Sequence, residues 1–174
     1  EGGLVILTNP TDTGLKLVSI DAASSQTGEG VEGTQMYLNA TNGSDVVSIA
    51  SSGGEVTVSG LPARVEIFDV GFGNSLTLSL SDGNDRVDAA GLSVEFKSIT
   101  FRLQTGDDTV AASVSADIIS GGDDVDTVIY SGSDFGVAVD LGSGVGLGGD
   151  AQDDTYCDVE NATGSAHADI LGGN

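Results

Sequence analysis

The chain has 174 residues, of which 27 are acidic and 5 basic, so its formal net charge is −22. This much negative charge repels polyanions, which argues against nucleic acid or an anionic membrane surface as a partner and favours a cationic ligand. The single Cys157 excludes an internal disulfide and a cysteine-based zinc site, and no apolar run approaches the ~20 residues that a membrane helix needs, so no membrane insertion is expected.

Short apolar stretches alternate with Gly, Ser, Asn and Asp, a pattern typical of short β-strands separated by turns. In chain order the predicted strands are Leu4–Thr8, Leu15–Ile20, Thr34–Leu38, Val46–Ile49, Glu55–Ser59, Arg64–Val70, Ser75–Leu80, Ser98–Leu103, Ile118–Ile119, Thr127–Tyr130, Val137–Leu141 and Asp169–Leu171. The 20 Asp outnumber the 7 Glu, and Asp prefers turns and caps to helix interiors. We therefore expect an all-β protein with very little helix.

A turn rich in Gly, Asn and Asp recurs along the chain and is followed each time by Asp, any residue and an apolar residue. The Asp of this step is Asp45, Asp85, Asp108, Asp126, Asp154 and Asp169. The intervals of 40, 23, 18, 28 and 15 residues scatter around one coil of about twenty residues, with 40 counted as two coils. This repetition predicts a right-handed parallel β-solenoid, a β-helix or β-roll whose coils bury their apolar faces by stacking.

The most complete copy of the repeat is Gly121–Ile129. It matches the nonapeptide G-G-x-G-x-D-x-U-x, with U a large apolar residue, except that Asp124 replaces the third Gly. In such a motif the glycines allow a tight turn and expose carbonyl oxygens, while the Asp adds an anionic oxygen. Stacked turns then form cages of hard oxygen ligands, which suit Ca²⁺ better than the smaller Mg²⁺.

A family resemblance rests on this copy together with Tyr130–Ser133, Gly136–Leu141, Gly148–Ala151, Val159–Ser165 and Asp169–Asn174. Over residues 117–174 the chain resembles the haemolysin-type calcium-binding (RTX) repeat region. Residues 42–110 resemble, less specifically, the degenerate Gly-Asn-Asp-Asp repeats of large bacterial surface proteins. The resemblance implies a parallel β-roll or β-helix that folds on binding Ca²⁺, in a secreted or surface-attached bacterial protein.

The resemblance also implies which residues bind the metal. Asp126 matches the motif's ligand Asp, and Asp108, Asp154 and Asp169 match it in weaker copies. With the turn residues around them, the predicted metal ligands are Asn84, Asp85, Asp107, Asp108, Gly121, Gly122, Asp123, Asp124, Asp126, Asp150, Asp153, Asp154 and Asp169. One departure is that the long insert at residues 130–147 interrupts the nonapeptide rhythm.

The predicted organisation has three parts in one continuous solenoid. Residues 1–40 lack the Gly-Asp signature and form an irregular N-terminal cap or linking layer, residues 41–116 carry degenerate β-helix repeats, and residues 117–174 form the RTX-like calcium-binding β-roll. From Leu103 onward there are 14 acidic residues and no Lys or Arg. These carboxylates cannot be neutralised by internal salt bridges, so they need solvent or a metal ion.

Two simpler interpretations stay open. Gly and Asp also suit plain hairpin turns, and the pairs Asp107–Asp108 and Asp153–Asp154 can be solvated turn charge. Catalysis is not expected, because His167 is the one histidine and no nucleophile elbow is present. A further possible class of function is an enzyme that acts on an acidic polysaccharide through a pair of carboxylates.

The ends of the sequence suggest self-association. If Asn174 were followed by Glu1 of another copy, the junction would read G-G-N-E-G-G-L-V-I-L, which lines up with G-G-D-D-V-D-T-V-I-Y from Gly121 to Tyr130. Copies, either tandem units or separate subunits, would then stack head to tail into a filament. The rival explanation is a boundary inside a giant surface protein.

The sequence therefore predicts a non-enzymatic, calcium-stabilised structural or adhesive module that is secreted or lies on a bacterial cell surface. Its partners would be calcium ions and further copies of itself, with surface glycans open as an adhesion target. The alternative is a non-catalytic calcium-binding segment of a secreted enzyme or toxin.

Overall fold

A computed structural model describes residues 4–7, 17–22 and 33–173, and within them the chain consists of strands, turns and one 3₁₀ helix at Gly149–Ala151. The strands are β1 (Leu4–Leu7), β2 (Leu17–Asp21), β3 (Gln35–Asn39), β4 (Val46–Ser52), β5 (Glu55–Ser59), β6 (Arg64–Phe68), β7 (Ser75–Ser79), β8 (Arg86–Gly91), β9 (Ser98–Thr105), β10 (Thr109–Ala111), β11 (Asp117–Asp123), β12 (Thr127–Ile129), β13 (Ala138–Asp140), β14 (Val145–Leu147), β15 (Thr155–Cys157), β16 (Asn161–Thr163) and β17 (Ile170–Gly172).

These strands form two sheets. The nine-stranded sheet has the order β1-β3-β7-β9-β11-β15-β14-β13-β17, and the eight-stranded sheet has the order β16-β12-β10-β8-β4-β5-β6-β2. Most neighbours are parallel, but β4-β5-β6 and β13-β14-β15 pair antiparallel. Successive parts of the chain therefore alternate between the two sheets, apart from these two antiparallel segments.

The apolar core draws on both sheets. Strands such as β5 and β7 read E-V-T-V-S and S-L-T-L-S, and their Val and Leu are buried while the polar residues between them are partly exposed, as expected for one buried face. In register, Leu38, Leu78, Phe101, Ile119 and Tyr156 follow one another across the nine-stranded sheet, and all are buried. They belong to one hydrophobic cluster with Val47, Val87, Val110 and Val128 of the eight-stranded sheet.

The expectation of an all-β chain with very little helix agrees with the structure, but the right-handed parallel β-solenoid is wrong. Among the described residues, both sheets mix parallel and antiparallel strands and neither closes into a barrel. One physical reason lies at Gly53 and Gly54, whose φ angles are 63° and 87°. A two-residue Gly-Gly turn with positive φ matches the twist of a hairpin and joins antiparallel strands, here β4 and β5, so a purely parallel winding is interrupted.

The interpretation of the 40 residues between Asp45 and Asp85 as two coils is also wrong. This interval does not contain an intervening coil, because β4 pairs directly with β8, and the chain between them forms β5 and β6 in the same sheet and β7 in the other. Every predicted strand overlaps an observed one within the described residues, while β8, β10, β14, β15 and β16 were missed. Four of these five have three residues, too few to show a period of two.

The structure shows no boundary between the predicted second and third parts, residues 41–116 and 117–174. The strands β9 and β10 pair with β11 and β12, so residues on both sides of position 116 share both sheets. Of the predicted N-terminal layer, β1, β2 and β3 occupy places in the two sheets. The predicted junction of Asn174 with Glu1–Gly3 lies outside the described residues. None of the described segments forms a helix of the length and apolarity needed to cross a membrane.

Candidate functional site

Five acidic residues line up across the eight-stranded sheet. Asp45, Asp85, Asp108, Asp126 and Glu160 each stand directly before a strand, namely β4, β8, β10, β12 and β16, and these strands are successive neighbours in the sheet. Because neighbouring parallel strands begin at the same edge, the five side chains follow one another along that edge. We call this set the acidic column.

Hydrogen bonds connect the column from turn to turn. The backbone N–H of Asp45 donates to Asp85 Oδ1 at 2.7 Å, that of Asp85 donates to Asp108 Oδ1 at 2.7 Å, and that of Asp108 donates to Asp126 Oδ1 at 3.0 Å. The last bond runs from the N–H of Asp126 to Glu160 Oε2 at 2.8 Å. Apart from Asp45, whose carboxylate accepts from Thr41, each carboxyl group of the column therefore uses one oxygen to fix the preceding turn.

The other oxygen of three column residues has no partner. Asp85 Oδ2, Asp108 Oδ2 and Asp126 Oδ2 are buried without a hydrogen bond, and the residues are 3%, 1% and 0% exposed. Burial raises the pKa of Asp85, raises that of Asp108 to about 7 and raises that of Asp126 to about 6, with the neighbouring carboxylates adding to each effect. A buried carboxylate oxygen without a partner is costly, so this edge favours a proton or a cation.

The turns that carry the column are stacked closely. Gly83 and Gly106 have φ angles of 124° and 120°, and a Cβ on Gly106 would lie 2.1 Å from the carbonyl oxygen of Gly83. Only glycine allows both this conformation and this approach. A second row lies one residue before the column, where the N–H groups of Asn84, Asp107 and Val125 donate to Ser44 Oγ, Asn84 Oδ1 and Asp107 Oδ1.

The RTX-like segment meets the column at Asp126. A Cβ on Gly121 would lie 1.8 Å from the carbonyl oxygen of Asp158 and 2.3 Å from Asp126 Oδ2, so glycine is required for Asp126 to sit in this position. Gly122, with φ of 119°, makes a similar close approach to the carbonyl oxygen of Gln104. Asp123 and Asp124 are exposed in the same turn.

The remaining predicted ligands lie elsewhere, and Asp154 belongs to a buried cluster at the nine-stranded sheet. Asp154 Oδ1 accepts the N–H of Asp117 at 2.7 Å, and its Oδ2 accepts the Tyr130 hydroxyl at 2.5 Å. The hydroxyls of Tyr130 and Tyr156 are 2.6 Å apart, and Ser113 donates its N–H and its hydroxyl to the two oxygens of Asp117. We call Asp117, Tyr130, Asp154 and Tyr156 the tyrosine–aspartate cluster.

Burial dominates the electrostatics of this cluster. It raises the pKa of Asp117 to about 7 and, with the charge of Asp117, that of Asp154 to about 9. The tyrosine pKa values are raised as well, again chiefly by burial. Unlike the three column residues, both carboxyl groups have a hydrogen-bond partner at each oxygen, so the cluster is internally satisfied.

Asp150, Asp153 and Asp169 complete the predicted set. Asp150 lies in the 3₁₀ helix, where burial raises its pKa, and Asp153 is exposed and accepts a bond from Gln152. Asp169 precedes β17 and accepts the N–H of Val137 at 2.9 Å and the Ser165 hydroxyl at 2.8 Å; these bonds lower its pKa. Among residues 4–7, 17–22 and 33–173, no group of three or more His, Cys, Asp and Glu side chains is arranged to hold a metal ion.

The structure thus brings together one part of the predicted set. Adjacent turns hold Asn84, Asp85, Asp107, Asp108 and Asp126. The segments that precede β15 and β17 of the other sheet hold Asp150, Asp153, Asp154 and Asp169. No family model, curated protein or solved structure matches the chain. The resemblance to RTX repeats therefore stays a prediction.

Glu160, Asp117 and the two tyrosines were not among the predicted site residues. A signal for Asp117 exists, because Thr41–Asp45, Ser113–Asp117 and Ser165–Asp169 share a hydroxyl residue four positions before the Asp, and in each pair that residue donates to the carboxylate. No signal in the sequence identifies Glu160, because it stands where the other column residues are Asp and no Gly-Asp turn precedes it.

Proposed function

We propose that this chain is a non-catalytic structural module of a secreted or surface-attached bacterial protein, and that Ca²⁺ bound along the acidic column stabilises its fold. The observation that carries the proposal is the set of three buried, unpartnered carboxyl oxygens at Asp85, Asp108 and Asp126. An ion bound there would offset the cost of burying them, so its binding energy would become folding energy.

The chemistry of the donors favours calcium. The column offers carboxylate oxygens, which are hard ligands that Ca²⁺ accepts in irregular sets of six to eight together with other oxygens such as those of water. Equivalent atoms on neighbouring strands repeat at about 4.8 Å, a spacing that suits Ca–O distances of about 2.3–2.6 Å better than the 2.0–2.1 Å of Mg²⁺. Two neighbouring column residues, Asp85 with Asp108 or Asp108 with Asp126, would hold an ion between them, and the exposed Asp107 would add negative charge nearby.

A proton is the competing occupant. The raised pKa values of Asp108 and Asp126, about 7 and about 6, mean that part of the column binds protons near neutral pH. A protonated column would make the turns structural features with no metal function. Calcium dependence at a pH above these values separates the two occupants.

The location outside the cell rests on charge and on calcium supply. With 27 acidic and 5 basic residues, the chain benefits from a divalent cation wherever one is abundant. At roughly 1 mM Ca²⁺ and a Kd around 10⁻⁴ M, one occupied site adds ~1.4 kcal/mol to the free energy of unfolding. The same chemistry serves a structural or adhesive module and a calcium-binding segment of a secreted enzyme or toxin.

The test is thermal unfolding at a pH of about 8, above both column pKa values, in EDTA, in Ca²⁺ and in Mg²⁺ at matched ionic strength. We expect Ca²⁺ to raise the Tm by several degrees and Mg²⁺ to raise it less. Asp108→Asn keeps an acceptor at Oδ1 and removes the charge, so it should lose a large part of the calcium response. Asp107→Asn, the exposed neighbour, is the matched control and should keep most of it. An equal Tm in EDTA and in Ca²⁺ would refute the proposal.

A further inference from the structure

One asparagine of the chain is followed directly by glycine. This is Asn42, in the turn that precedes β4, whereas the asparagines at positions 9, 39, 74, 84 and 161 are followed by Pro, Ala, Ser, Asp and Ala. Asparagine is a thermally labile residue, because the backbone nitrogen of the next residue can attack its side-chain amide. Glycine in that next position hinders the attack least, since it has no Cβ.

The turn around Asn42 is open. Asn42, Gly43 and Ser44 are all exposed, and the side chain of Asn42 makes no hydrogen bond with the part of the chain that the structure describes. Apart from its chain neighbours, nothing lies closer to the position of a Cβ on Gly43 than Thr41 Oγ1, at 4.0 Å. The side chain of Asn42 therefore has room to turn toward the nitrogen of Gly43.

The nitrogen of Gly43 is also held weakly. Its N–H donates to Thr41 Oγ1 at 3.3 Å, which is longer than most N–H···O hydrogen bonds, and both residues lie outside the strands. It has no backbone acceptor among the described residues. The amide of Gly43 can therefore lose its proton to solvent without breaking a bond of the sheets.

The nitrogens that follow two other asparagines are held more firmly. After Asn84, the N–H of Asp85 donates to Asp108 Oδ1 at 2.7 Å within the acidic column. Asn74 is buried, and the N–H of the residue after it donates to a backbone carbonyl oxygen at 3.0 Å. At these two positions the nitrogen must break a hydrogen bond before it can react.

A comparison with Asp82–Gly83 separates the effect of the fold from that of the sequence. An aspartate followed by glycine can close the same ring by losing water. Here the N–H of Gly83 donates to the carbonyl oxygen of Thr105 at 2.9 Å, and Asp82 Oδ1 accepts the Thr105 hydroxyl at 3.0 Å. Both reacting groups are thus engaged with the neighbouring turn, whereas those of Asn42–Gly43 are not.

We propose that Asn42 is a site of spontaneous deamidation in the folded chain. The nitrogen of Gly43, after losing its proton to hydroxide, attacks Cγ of Asn42 and closes a succinimide ring, and the side-chain nitrogen takes a proton from water and leaves as ammonia. Water then breaks one of the two C–N bonds of the ring, which gives an aspartyl or an isoaspartyl residue. Either product adds one negative charge to the turn, three residues before Asp45. The reaction does not require calcium in the acidic column.

Incubation of the folded chain at mildly alkaline pH, followed by fragment mass spectrometry, tests this proposal. We expect aspartyl and isoaspartyl products at position 42, formed at least about tenfold faster than any product at Asn84. Mildly acidic pH should slow the reaction, because the nitrogen of Gly43 then keeps its proton.

Gly43→Ala is the variant that isolates the attack. Its Cβ enters open space and the φ angle of Gly43 is not positive, so the fold should be kept, while the rate at Asn42 should fall at least about tenfold. Gly71→Ala is the matched control, because Gly71 is also exposed, has no positive φ and would place its Cβ 3.8 Å from Asn74 Oδ1. It should leave the rate at Asn42 unchanged.

Circular dichroism establishes that each variant is folded before rates are compared. An unmodified Asn42 in the folded chain, equally fast modification of Asn84, or equal rates in Gly43→Ala and wild type would each overturn the proposal. Reaction at Asn42 in urea alone would also overturn it, since the folded turn would then protect the residue. The mass change at one residue is separate from the Tm, in which a failure of the calcium proposal would appear.

Discussion

The acidic column and the tyrosine–aspartate cluster, two groups of acidic residues in the described part of the chain, share raised carboxyl pKa values and differ in hydrogen bonding. In the cluster, both oxygens of Asp117 and of Asp154 accept bonds. In the column, Asp85, Asp108 and Asp126 each keep one buried oxygen without a partner. Burial is therefore common to both groups, and the unpaired oxygen is the feature that sets the column apart from the cluster.

The largest effect is expected from Asp154→Ala in the cluster. This change leaves the N–H of Asp117 and the hydroxyl of Tyr130 buried without their acceptor. Each unsatisfied group costs about 1–3 kcal/mol, so the free energy of unfolding should fall by about 3 kcal/mol. Urea unfolding measures this loss, which should be equal in EDTA and in Ca²⁺.

The control for Asp154→Ala is Asp153→Asn, at the exposed neighbour, which should cost little. A loss from Asp154→Ala that shrinks when Ca²⁺ is removed would show that the cluster, too, binds the ion, and the contrast between the two acidic groups would fail.

A smaller effect is expected from pH. The column residue Asp108 titrates at 3.8 when unfolded and about 7 when folded, so between these values the folded state binds the extra proton. Stability in EDTA should therefore fall as the pH rises from about 4 to 7, with Asp126 contributing up to about 6. Asp117 and Asp154 of the tyrosine–aspartate cluster, whose pKa values burial also raises, add to this fall and extend it to higher pH.

Calcium should flatten only the column's part of this profile, because the ion replaces the proton there. The Tm measured from a pH of about 5 to 9 in EDTA and in Ca²⁺ gives both slopes. If Ca²⁺ leaves the slope below a pH of about 7 unchanged, the column does not exchange protons for calcium.

The smallest effect is expected from Tyr156→Phe, at the outer end of the cluster. It removes the 2.6 Å hydroxyl contact with Tyr130 and leaves the bond from Tyr130 to Asp154 intact. The expected loss is about 1 kcal/mol, measured by the midpoint of urea unfolding. Tyr37→Phe is the control, since the Tyr37 hydroxyl makes one exposed bond of 3.4 Å to Gln35. Equal losses in both variants would argue against a chain of bonds through the cluster.

The turns and strands could be predicted from the sequence better than the arrangement of the strands in the sheets. The recurring turn, in which Gly, Asn and Asp are followed by an Asp and an apolar residue, identified Asp45, Asp85, Asp108 and Asp126 as equivalent positions. In the structure these residues precede adjacent strands and are linked by hydrogen bonds. This succeeded because turn chemistry and the inward apolar residue are local properties. Asp154 and Asp169 carry the same local pattern but precede β15 and β17 of the other sheet, which no local pattern distinguishes.

The sheet topology could not be predicted from the sequence for a related reason. A Gly-Gly pair reverses the chain at Gly53 and Gly54, and the strands after it pair antiparallel, although their composition resembles that of the parallel strands. The cluster depends on Tyr130 and Tyr156, which are 26 residues apart in the sequence and whose hydroxyl groups are in contact in the folded chain. Contacts of this kind depend on tertiary structure, so periodicity in the sequence cannot predict them.

The hydrogen bonds of the acidic column join residues separated by 40, 23, 18 and 34 positions, yet the bonding is the same at each step. The length of chain between two steps is therefore free to vary, provided that the chain returns with an acidic residue ahead of the next strand. Foreign segments grafted between two steps should then leave the turns in place, which makes this edge a tolerant scaffold for displaying loops of unequal length.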